Sequence, residues 1–260
     1  MLIPKILHFC WFGGNEKPEI VQKCIRSWHS VLPEYQIIEW NEDNFDVRQI
    51  PYTAKAYDQK KYAFVSDYAR LKILQEYGGI YVDTDVEVIR PLDSFLSEQM
   101  FCGFESRENV APGLILGCVP NHPLLPTLMR FYLEHGFVDS YGVINTYSTV
   151  LNMTDVLRQI GLQPDSGSPQ SLSDVTVYPK ITFCPDEEAR KRGVYTDETY
   201  TVHHYCGSWL RPADSSRVKR LSKNVLKRAG KVFRKLLGNK RWERFRNRHL
   251  KRLYDFARGI

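Results

Sequence analysis

One short stretch in the middle of the chain limits the choice of fold more than any other. Residues 77–88 read Tyr-Gly-Gly-Ile-Tyr-Val-Asp-Thr-Asp-Val-Glu-Val. The pair Gly78-Gly79 predicts the end of a helix, because glycine adopts a positive φ without a steric penalty. The apolar residues that follow predict a buried strand, which places Asp83 and Asp85 where that strand ends.

Two neighbouring carboxylates at a strand end need an explanation. Burying Asp83 and Asp85 is costly unless a metal ion, an arginine or N–H donors compensate their charge. A simple turn is the alternative, because Asp and Thr are common in turns. The sequence on either side of this stretch is needed to distinguish a simple turn from a functional site.

The segments around this stretch predict an α/β fold. Residues 3–11 and 35–40 read as strands on either side of a helix over 18–30. That order is typical of parallel strands in an α/β unit. Further strands are predicted at 101–104, 114–119, 175–178 and 181–184, and further helices at 61–77, 123–135 and 147–160. No G-x-G-x-x-G motif follows the first strand, which argues against dinucleotide binding.

The helix before the glycine pair carries a charged pair. Asp67 and Arg70 are three residues apart, so they share a face of the helix. They form either an ordinary surface ion pair, worth less than about 1 kcal/mol, or part of a crevice that also contains Asp83 and Asp85.

A late segment, residues 201–209, contains His203-His204 and Trp209. In an extended chain, adjacent histidines point to opposite sides, so we expect one of them at most to face a given site. A neutral imidazole near Asp85 would complete a coordination sphere for Mn²⁺. A structural histidine and a core tryptophan are the alternatives.

Composition favours a folded cytosolic protein with no membrane span. Hydrophobic residues make up 43% of the 260, enough for a sizeable core, and no apolar run reaches the length of a bilayer-spanning helix. The N-terminus lacks the features of a signal peptide. Six scattered cysteines without a C-x-x-C pair are typical of reduced thiols.

The charge is divided unevenly along the chain. Residues 217–260 contain 17 Lys and Arg but only two acidic residues, whereas the remainder contains 19 basic and 28 acidic residues. Apolar residues recur in the tail at helical spacing, which predicts a basic amphipathic helical extension. It would bind an anionic membrane surface or pack on the body. Nucleic-acid binding is disfavoured, because no recognisable module accompanies the charge.

Taken together, these motifs resemble a known family. The motifs are Ile-Pro-Lys-Ile-Leu-His-Phe-Cys-Trp at 3–11, Ser-Asp-Tyr-Ala-Arg at 66–70, the stretch at 77–85, and His203-His204 with Ser208-Trp209. They look like the DxD-containing sugar transferases, which include the yeast initiating α-mannosyltransferase and bacterial capsule or lipopolysaccharide transferases. They are similar at the same motifs to the glucosylating domains of large clostridial toxins. The resemblance covers roughly residues 3–210.

This resemblance implies a GT-A fold, a Rossmann-like nucleotide-diphospho-sugar transferase domain, over residues 1–212, followed by the basic tail over 213–260. It also implies a nucleotide-sugar donor (UDP-sugar favoured), a divalent Mn²⁺ or Mg²⁺ ion and retention of the anomeric configuration. The acceptor would be a polysaccharide, a lipopolysaccharide or a lipid-linked glycan. The expected location is the cytoplasm, at the inner face of the membrane. No oligomeric state is implied.

The resemblance also assigns roles to individual residues. Trp11 would stack on the base, and Tyr81 would touch the nucleoside. Asp67 and Arg70 would contact the donor sugar and phosphates, and Ser208 and Trp209 would close over the diphosphate. The catalytic residues would be Asp83, which would bind the sugar or ribose and the metal through water, and Asp85, which would bind the metal directly together with His204. His204 is preferred to His203 for its five-residue separation from Trp209. Members of the family often have an asparagine near residues 111–113, and this chain has Ala-Pro-Gly there.

Two other functions compete with this one. The apolar run ending in Asp83-Thr84-Asp85 also matches phosphatases with an aspartate nucleophile, but these need a later Gly-Asp pair, which the chain lacks. A membrane-surface adaptor, with the tail as its functional part, is the alternative from outside the enzymes.

Overall fold

A mixed sheet forms the centre of the protein. The computed structural model describes residues 2–138, 144, 145 and 147–206. Within these ranges the strands are β1 (Ile6–Cys10), β2 (Gln36–Trp40), β3 (Gly79–Tyr81), β4 (Val86–Val88), β5 (Met100–Gly103), β6 (Leu116–Cys118), β7 (Gln170–Leu172), β8 (Val175–Tyr178) and β9 (Thr201–His203). The main sheet has the order β2-β1-β3-β6-β5-β8-β7, and β4 pairs separately with β9.

Strand direction determines which loops meet at each edge of the sheet. β1 is parallel to both β2 and β3, as expected of an α/β unit. β6 runs antiparallel to β3 and β5, so the residues before β6 lie beside those after β3. The predicted α/β class is confirmed, and the antiparallel β6 is the feature that the sequence pattern did not predict.

The four helices predicted within the described residues are all present, with small shifts of their ends. The helices are α1 (Glu19–Val31), α2 (Pro51–Asp58), α3 (Tyr62–Tyr77), α4 (Leu124–Glu134), α5 (Thr149–Gln159), α6 (Lys180–Phe183) and α7 (Glu187–Arg192). Of these, α2, α6 and α7 were not predicted. The predicted strand at 181–184 is wrong, because α6 occupies that segment. Pro179 immediately precedes α6 and its carbonyl accepts the Thr182 N–H at 3.0 Å, so the chain turns there.

The two faces of the sheet pack into two apolar cores. Ile80 of β3 lies in one core together with Trp28 of α1. Its neighbour Tyr81 lies in the other core, with Leu74 of α3. Side chains alternate between the faces of a strand. The face that receives Tyr81 is therefore the one covered by α3, the helix that carries Asp67 and Arg70.

The glycine pair ends α3 as predicted. Gly78 has φ 63° and Gly79 has φ 93°. A Cβ at Gly79 would lie 2.7 Å from the carbonyl oxygen of Ile6. Glycine is therefore needed both for the turn and for the close approach of β1 to the start of β3.

All six cysteines lie in the described part of the chain and are free, and five of them are buried. This agrees with the thiols predicted from their scattered spacing. Among the described helices, none has the length and apolar character needed to cross a membrane.

A buried histidine joins β1, β2 and the turn before β3. The Trp40 indole N–H donates to Nδ1 of His8 at 3.0 Å, which leaves Nε2–H to donate to the Gly78 carbonyl at 2.9 Å. His8 is fully buried. Burial lowers the pKa of His8 to about 4, although the bond to Gly78 opposes the change.

We expect this histidine to make stability depend on pH. The unfolded chain binds a proton near pH 6.5 and the folded chain near pH 4, so the free energy of unfolding should fall by up to about 3 kcal/mol as pH drops through that window. Urea unfolding of wild type and of His8→Gln between pH 4 and 7 measures this fall in the free energy of unfolding. The variant should be less stable at pH 7 and lose less on acidification. Equal slopes for the two proteins would contradict the assignment.

Candidate functional site

Three chain segments meet at one edge of the sheet. Asp83 follows the end of β3, Trp11 follows the end of the parallel strand β1, and Gly113 lies just before β6. In open α/β sheets, ligands bind outside the carboxyl ends of parallel strands. The carboxylates predicted from the sequence therefore lie where a ligand is expected.

Asp83 is held by three neighbours. Its backbone N–H donates to the carbonyl of Gly113 at 2.8 Å. The guanidinium of Arg70 and the hydroxyl of Tyr81 both donate to Oδ1, at 3.2 and 3.1 Å. About a third of the side chain (33%) stays exposed, so the carboxylate is fixed yet accessible to a ligand.

Arg70 is the buried cation of the site. Its side chain is only 4% exposed and also lies 3.0 Å from Asp67, so it neutralises two carboxylates. The guanidinium is 4.9 Å from the centre of the Tyr81 ring, within cation–π range. The structure thus places the Asp67–Arg70 pair in the interior, in contact with Asp83.

The two carboxylates beside Arg70 are less acidic than usual. Burial raises the pKa of Asp67 to about 6, while Arg70 opposes this. Burial also raises the pKa of Asp83, again against the effect of Arg70. Both groups therefore depend on the arginine to remain ionised at neutral pH.

Asp85 has a different set of partners. It is 8% exposed, and its two oxygens contact Nε2 of His203 at 3.0 Å and the backbone N–H of Cys206 at 2.8 Å. Burial works against its ionisation, but the bonds from His203 and Cys206 outweigh burial and lower the pKa of Asp85. The pKa of His203 is raised, because the attraction of Asp85 exceeds the effect of burial.

The structure separates the two adjacent histidines. His203 is the last residue of β9, opposite Val86 of β4, and its ring faces Asp85. The ring of His204 instead contacts Glu87 at 2.8 Å. The role predicted for His204 as a metal ligand stays a prediction, and His203 is the imidazole that lies at Asp85. Alternation along an extended chain shows that the two rings diverge, but the β4–β9 register is needed to tell which one faces Asp85.

Tyr205 contacts His203 and was not predicted from the sequence. Its ring centre lies 4.0 Å from that of His203, and its hydroxyl is 2.9 Å from Sγ of Cys184. Tyr205 has φ 51°, an unusual value for a residue other than glycine. This turn directs the next N–H, that of Cys206, to Asp85.

Three of the predicted site residues remain: Trp11, Ser208 and Trp209. Trp11 is partly buried, and its indole N–H donates to the carbonyl of Asn15 at 2.7 Å. Its stacking role stays a prediction. Ser208 and Trp209, and the whole basic tail, lie outside the described residues.

The donors at Asp85 fit a divalent cation. A carboxylate and an imidazole together suit Mn²⁺, and Nε2 of His203 is the ring nitrogen that lies 3.0 Å from Oδ1 of Asp85. Within the described residues, no group of three or more His, Cys, Asp or Glu side chains forms a complete metal site. Asp85 and His203 would therefore hold the ion jointly with oxygens of a ligand.

Comparison of the sequence with known protein families shows that one family matches the part of the chain that contains Asp83 and Asp85. Residues 18–102 match the family described as a glycosyltransferase sugar-binding region containing a DXD motif. This segment is similar to the DXD glycosyltransferase family. The match includes Asp67, Arg70, Tyr81 and both aspartates of the motif, and it confirms the family predicted from the sequence. The expected GT-A type of α/β fold agrees with this family.

Several curated proteins are similar to this chain, although each match covers only part of them. Inositol phosphoceramide mannosyltransferase 3 of Schizosaccharomyces pombe is 31% identical over 49% of this chain and 36% of its own length. Mannosyl phosphorylinositol ceramide synthase SUR1 of Saccharomyces cerevisiae is 29% identical over 60% of this chain and 40% of its own length. The DXD family match covers the part of the chain that contains Asp83 and Asp85. The chain spans only 36% and 40% of the length of these two curated relatives.

Solved structures of glycosyltransferases are also similar to the chain. The PaToxG glycosyltransferase is 18% identical, with a TM-score of 0.49 over 61% of this chain and 70% of that one. A glycosyltransferase that takes part in glycosylating the major capsid of PBCV-1 has a TM-score of 0.46 and 13% identity, over 79% and 96% of the two chains.

Proposed function

We propose that this protein is a metal-dependent glycosyltransferase that moves a sugar from a nucleotide-sugar donor to a glycan or glycolipid acceptor. One observation carries the proposal. In the segment that matches the DXD family, Arg70 and Asp83 lie beside Asp85, which in turn contacts His203. We call Arg70, Asp83, Asp85 and His203 the array. It combines a cation, an accessible carboxylate and a pair of metal-binding groups at one edge of the sheet.

The residues of the array divide the work of binding. Arg70 holds Asp83 in a fixed direction, so that its partly exposed carboxylate accepts hydrogen bonds from hydroxyl groups of the sugar or of the ribose. Asp67 balances the charge of Arg70 from the other side. Asp85 stays ionised, because its pKa is held low, and it is the group best suited to bind a divalent cation.

The metal's contribution is charge neutralisation. A bound Mn²⁺ or Mg²⁺ ion stabilises negative charge on the departing diphosphate without a proton transfer. The protein would supply Asp85 and His203 to this ion. On the basis of the family resemblance, we infer that the diphosphate leaves from the face that the acceptor hydroxyl attacks, so that the anomeric configuration is retained.

The names of the relatives guide the choice of donor and acceptor. The two yeast proteins are named as an inositol phosphoceramide mannosyltransferase and a mannosyl phosphorylinositol ceramide synthase. We infer that a lipid-linked glycan is an acceptor of this chain, alongside the polysaccharide class expected from the sequence. A UDP-sugar is the proposed donor, and GDP-mannose is the alternative that the yeast names suggest.

A ligand screen tests the proposed function. The protein is heated with UDP- and GDP-sugars, with and without Mn²⁺, because a ligand that binds only the folded state raises the melting temperature. One donor should raise it only when Mn²⁺ is present, and that donor should be hydrolysed slowly. The absence of both effects with every donor would overturn the proposal and would favour the adaptor function.

The basic tail supports a location at an anionic membrane surface on the cytoplasmic side. Each Lys or Arg near such a surface contributes about 1 kcal/mol, and residues 217–260 contain 17 of them. We expect the full chain to sediment with vesicles that contain phosphatidylserine and to be released by salt. If a chain that ends at residue 216 sediments equally well, the tail is not the anchor.

A further inference from the structure

The carboxylate of Asp83 occupies space that exists only because residue 113 is a glycine. A Cβ built on Gly113 would lie 2.1 Å from Oδ2 of Asp83 and 2.8 Å from its Cγ, and 3.1 Å from Nη1 of Arg70. Real Cβ atoms do not make contacts that short, so any side chain at residue 113 must displace the carboxylate. We propose that Gly113 is a positioning residue, which sets the direction of the Asp83 carboxylate towards the donor.

Backbone conformation does not explain this glycine. The φ angle of Gly113 lies outside the positive range that favours glycine, so alanine fits the same backbone. Gly113 is buried, and its carbonyl oxygen accepts a hydrogen bond from the backbone N–H of Asp83 at 2.8 Å. This bond brings the α-carbon of Gly113 against the side chain of Asp83. The requirement for glycine at residue 113 is therefore steric, and the side chain that imposes it most strongly is Asp83.

The displaced carboxylate would lose defined partners. Asp83 receives hydrogen bonds from Arg70 at 3.2 Å and from Tyr81 at 3.1 Å, both on the same oxygen. Turning the carboxylate away from Gly113 breaks this geometry, while Arg70 keeps its contact with Asp67 at 3.0 Å. We therefore expect the protein to fold with alanine at 113, but with Asp83 directed elsewhere.

The consequence for ligands rests on the proposed function. Asp83 is the partly exposed acceptor of the site, whereas Asp85 is engaged by His203 and Cys206. Moving Asp83 should weaken contacts to hydroxyl groups of the donor and leave the metal–diphosphate contacts at Asp85 in place. Gly113 thereby contributes to selectivity for the hydroxyl-bearing part of the donor.

A double-mutant cycle on folding tests the steric claim without any ligand. Gly113→Ala should lower the melting temperature in the wild-type chain, by about 3 °C or more. In the Asp83→Ala background, where the carboxylate is absent, the same substitution should have little effect. Additive losses in the two backgrounds would overturn the proposal. Gly103→Ala, whose Cβ would meet Phe183 at 2.6 Å, serves as a control that should be additive with Asp83→Ala.

A binding experiment tests the functional claim. With Mn²⁺ present, the dissociation constants of UDP-glucose, UDP and UMP are measured for wild type, Gly113→Ala and Gly103→Ala. Loss of one charge-assisted hydrogen bond predicts roughly tenfold weaker UDP-glucose binding by Gly113→Ala. An equal loss for UDP places the Asp83 contact at the ribose, and an unchanged UDP affinity places it at the sugar. Unchanged affinity for both overturns the role of Gly113 in donor binding.

The folding cycle and the binding experiment can each give a negative result independently of the other. If wild type binds none of these nucleotides and none of the GDP-sugars of the ligand screen, the proposed function is wrong, and the folding cycle still decides whether Gly113 positions Asp83. If wild type binds and the cycle is additive, the donor site stands and the role of Gly113 is rejected.

Discussion

Asp85→Asn is expected to abolish metal-dependent sugar transfer. The substitution keeps the size of the side chain but removes the charge that a divalent cation requires. Metal assistance to a leaving group is worth several kcal/mol, so the rate should fall about a thousandfold. Hydrolysis of the donor selected by the ligand screen, followed over a range of Mn²⁺ concentrations, measures the loss. Stabilisation of the fold by Mn²⁺ and donor together should disappear as well.

A matched carboxylate provides the control for this experiment. Like Asp85, which accepts the backbone N–H of Cys206, Asp165 is held by backbone N–H groups, those of Gly167 at 2.8 Å and Lys180 at 2.9 Å. It lies outside the array. Asp165→Asn should retain metal-dependent hydrolysis. Full activity of Asp85→Asn would contradict the metal assignment. In the same assay, His203→Ala should lose more activity than His204→Ala if the imidazole at Asp85 is the ligand.

Arg70→Met is expected to destabilise the protein by roughly 3–5 kcal/mol, because it leaves Asp67 and Asp83 without their buried cation. Their pKa values, already raised by burial, should rise further when the opposing effect of Arg70 is lost. Folding then requires proton uptake at neutral pH. The variant should therefore lose stability as pH rises from about 4 to 8, and urea unfolding across this range measures it.

An exposed arginine separates this effect from the general loss of a charge. Arg48 pairs with Asp58 at 2.7 Å, with more than half of its side chain exposed (57%). Arg48→Met should cost less than about 1 kcal/mol and show little dependence on pH. If Arg70→Met proves as mild as Arg48→Met, the buried pair is not the electrostatic centre of the site.

Part of the site was predictable because it lies in continuous sequence. Gly78-Gly79 predicted the end of a helix, and the apolar run predicted a strand that ends before Asp83. The three-residue spacing of Asp67 and Arg70 predicted a shared helix face. Such local relationships follow from the periodicity of helices and strands, so they need no knowledge of distant contacts.

Other parts depended on long-range pairing. The choice between His203 and His204 follows from the register of β9 against β4, two strands more than a hundred residues apart in the chain. The contact between Gly113 and Asp83 follows from the antiparallel direction of β6 beside β3. Neither register nor strand direction can be derived from local periodicity, because shifting a strand by one residue exchanges its two faces.

The sequence by itself determined that two aspartates follow a buried strand in an α/β protein, since glycine placement and apolar periodicity are local properties. It also determined the basic character of the tail. Only the tertiary structure decided that Arg70 binds Asp83, that His203 faces Asp85, and that the space beside Asp83 depends on Gly113. These contacts join residues from separate strands, helices and loops, and packing of the whole sheet brings them together.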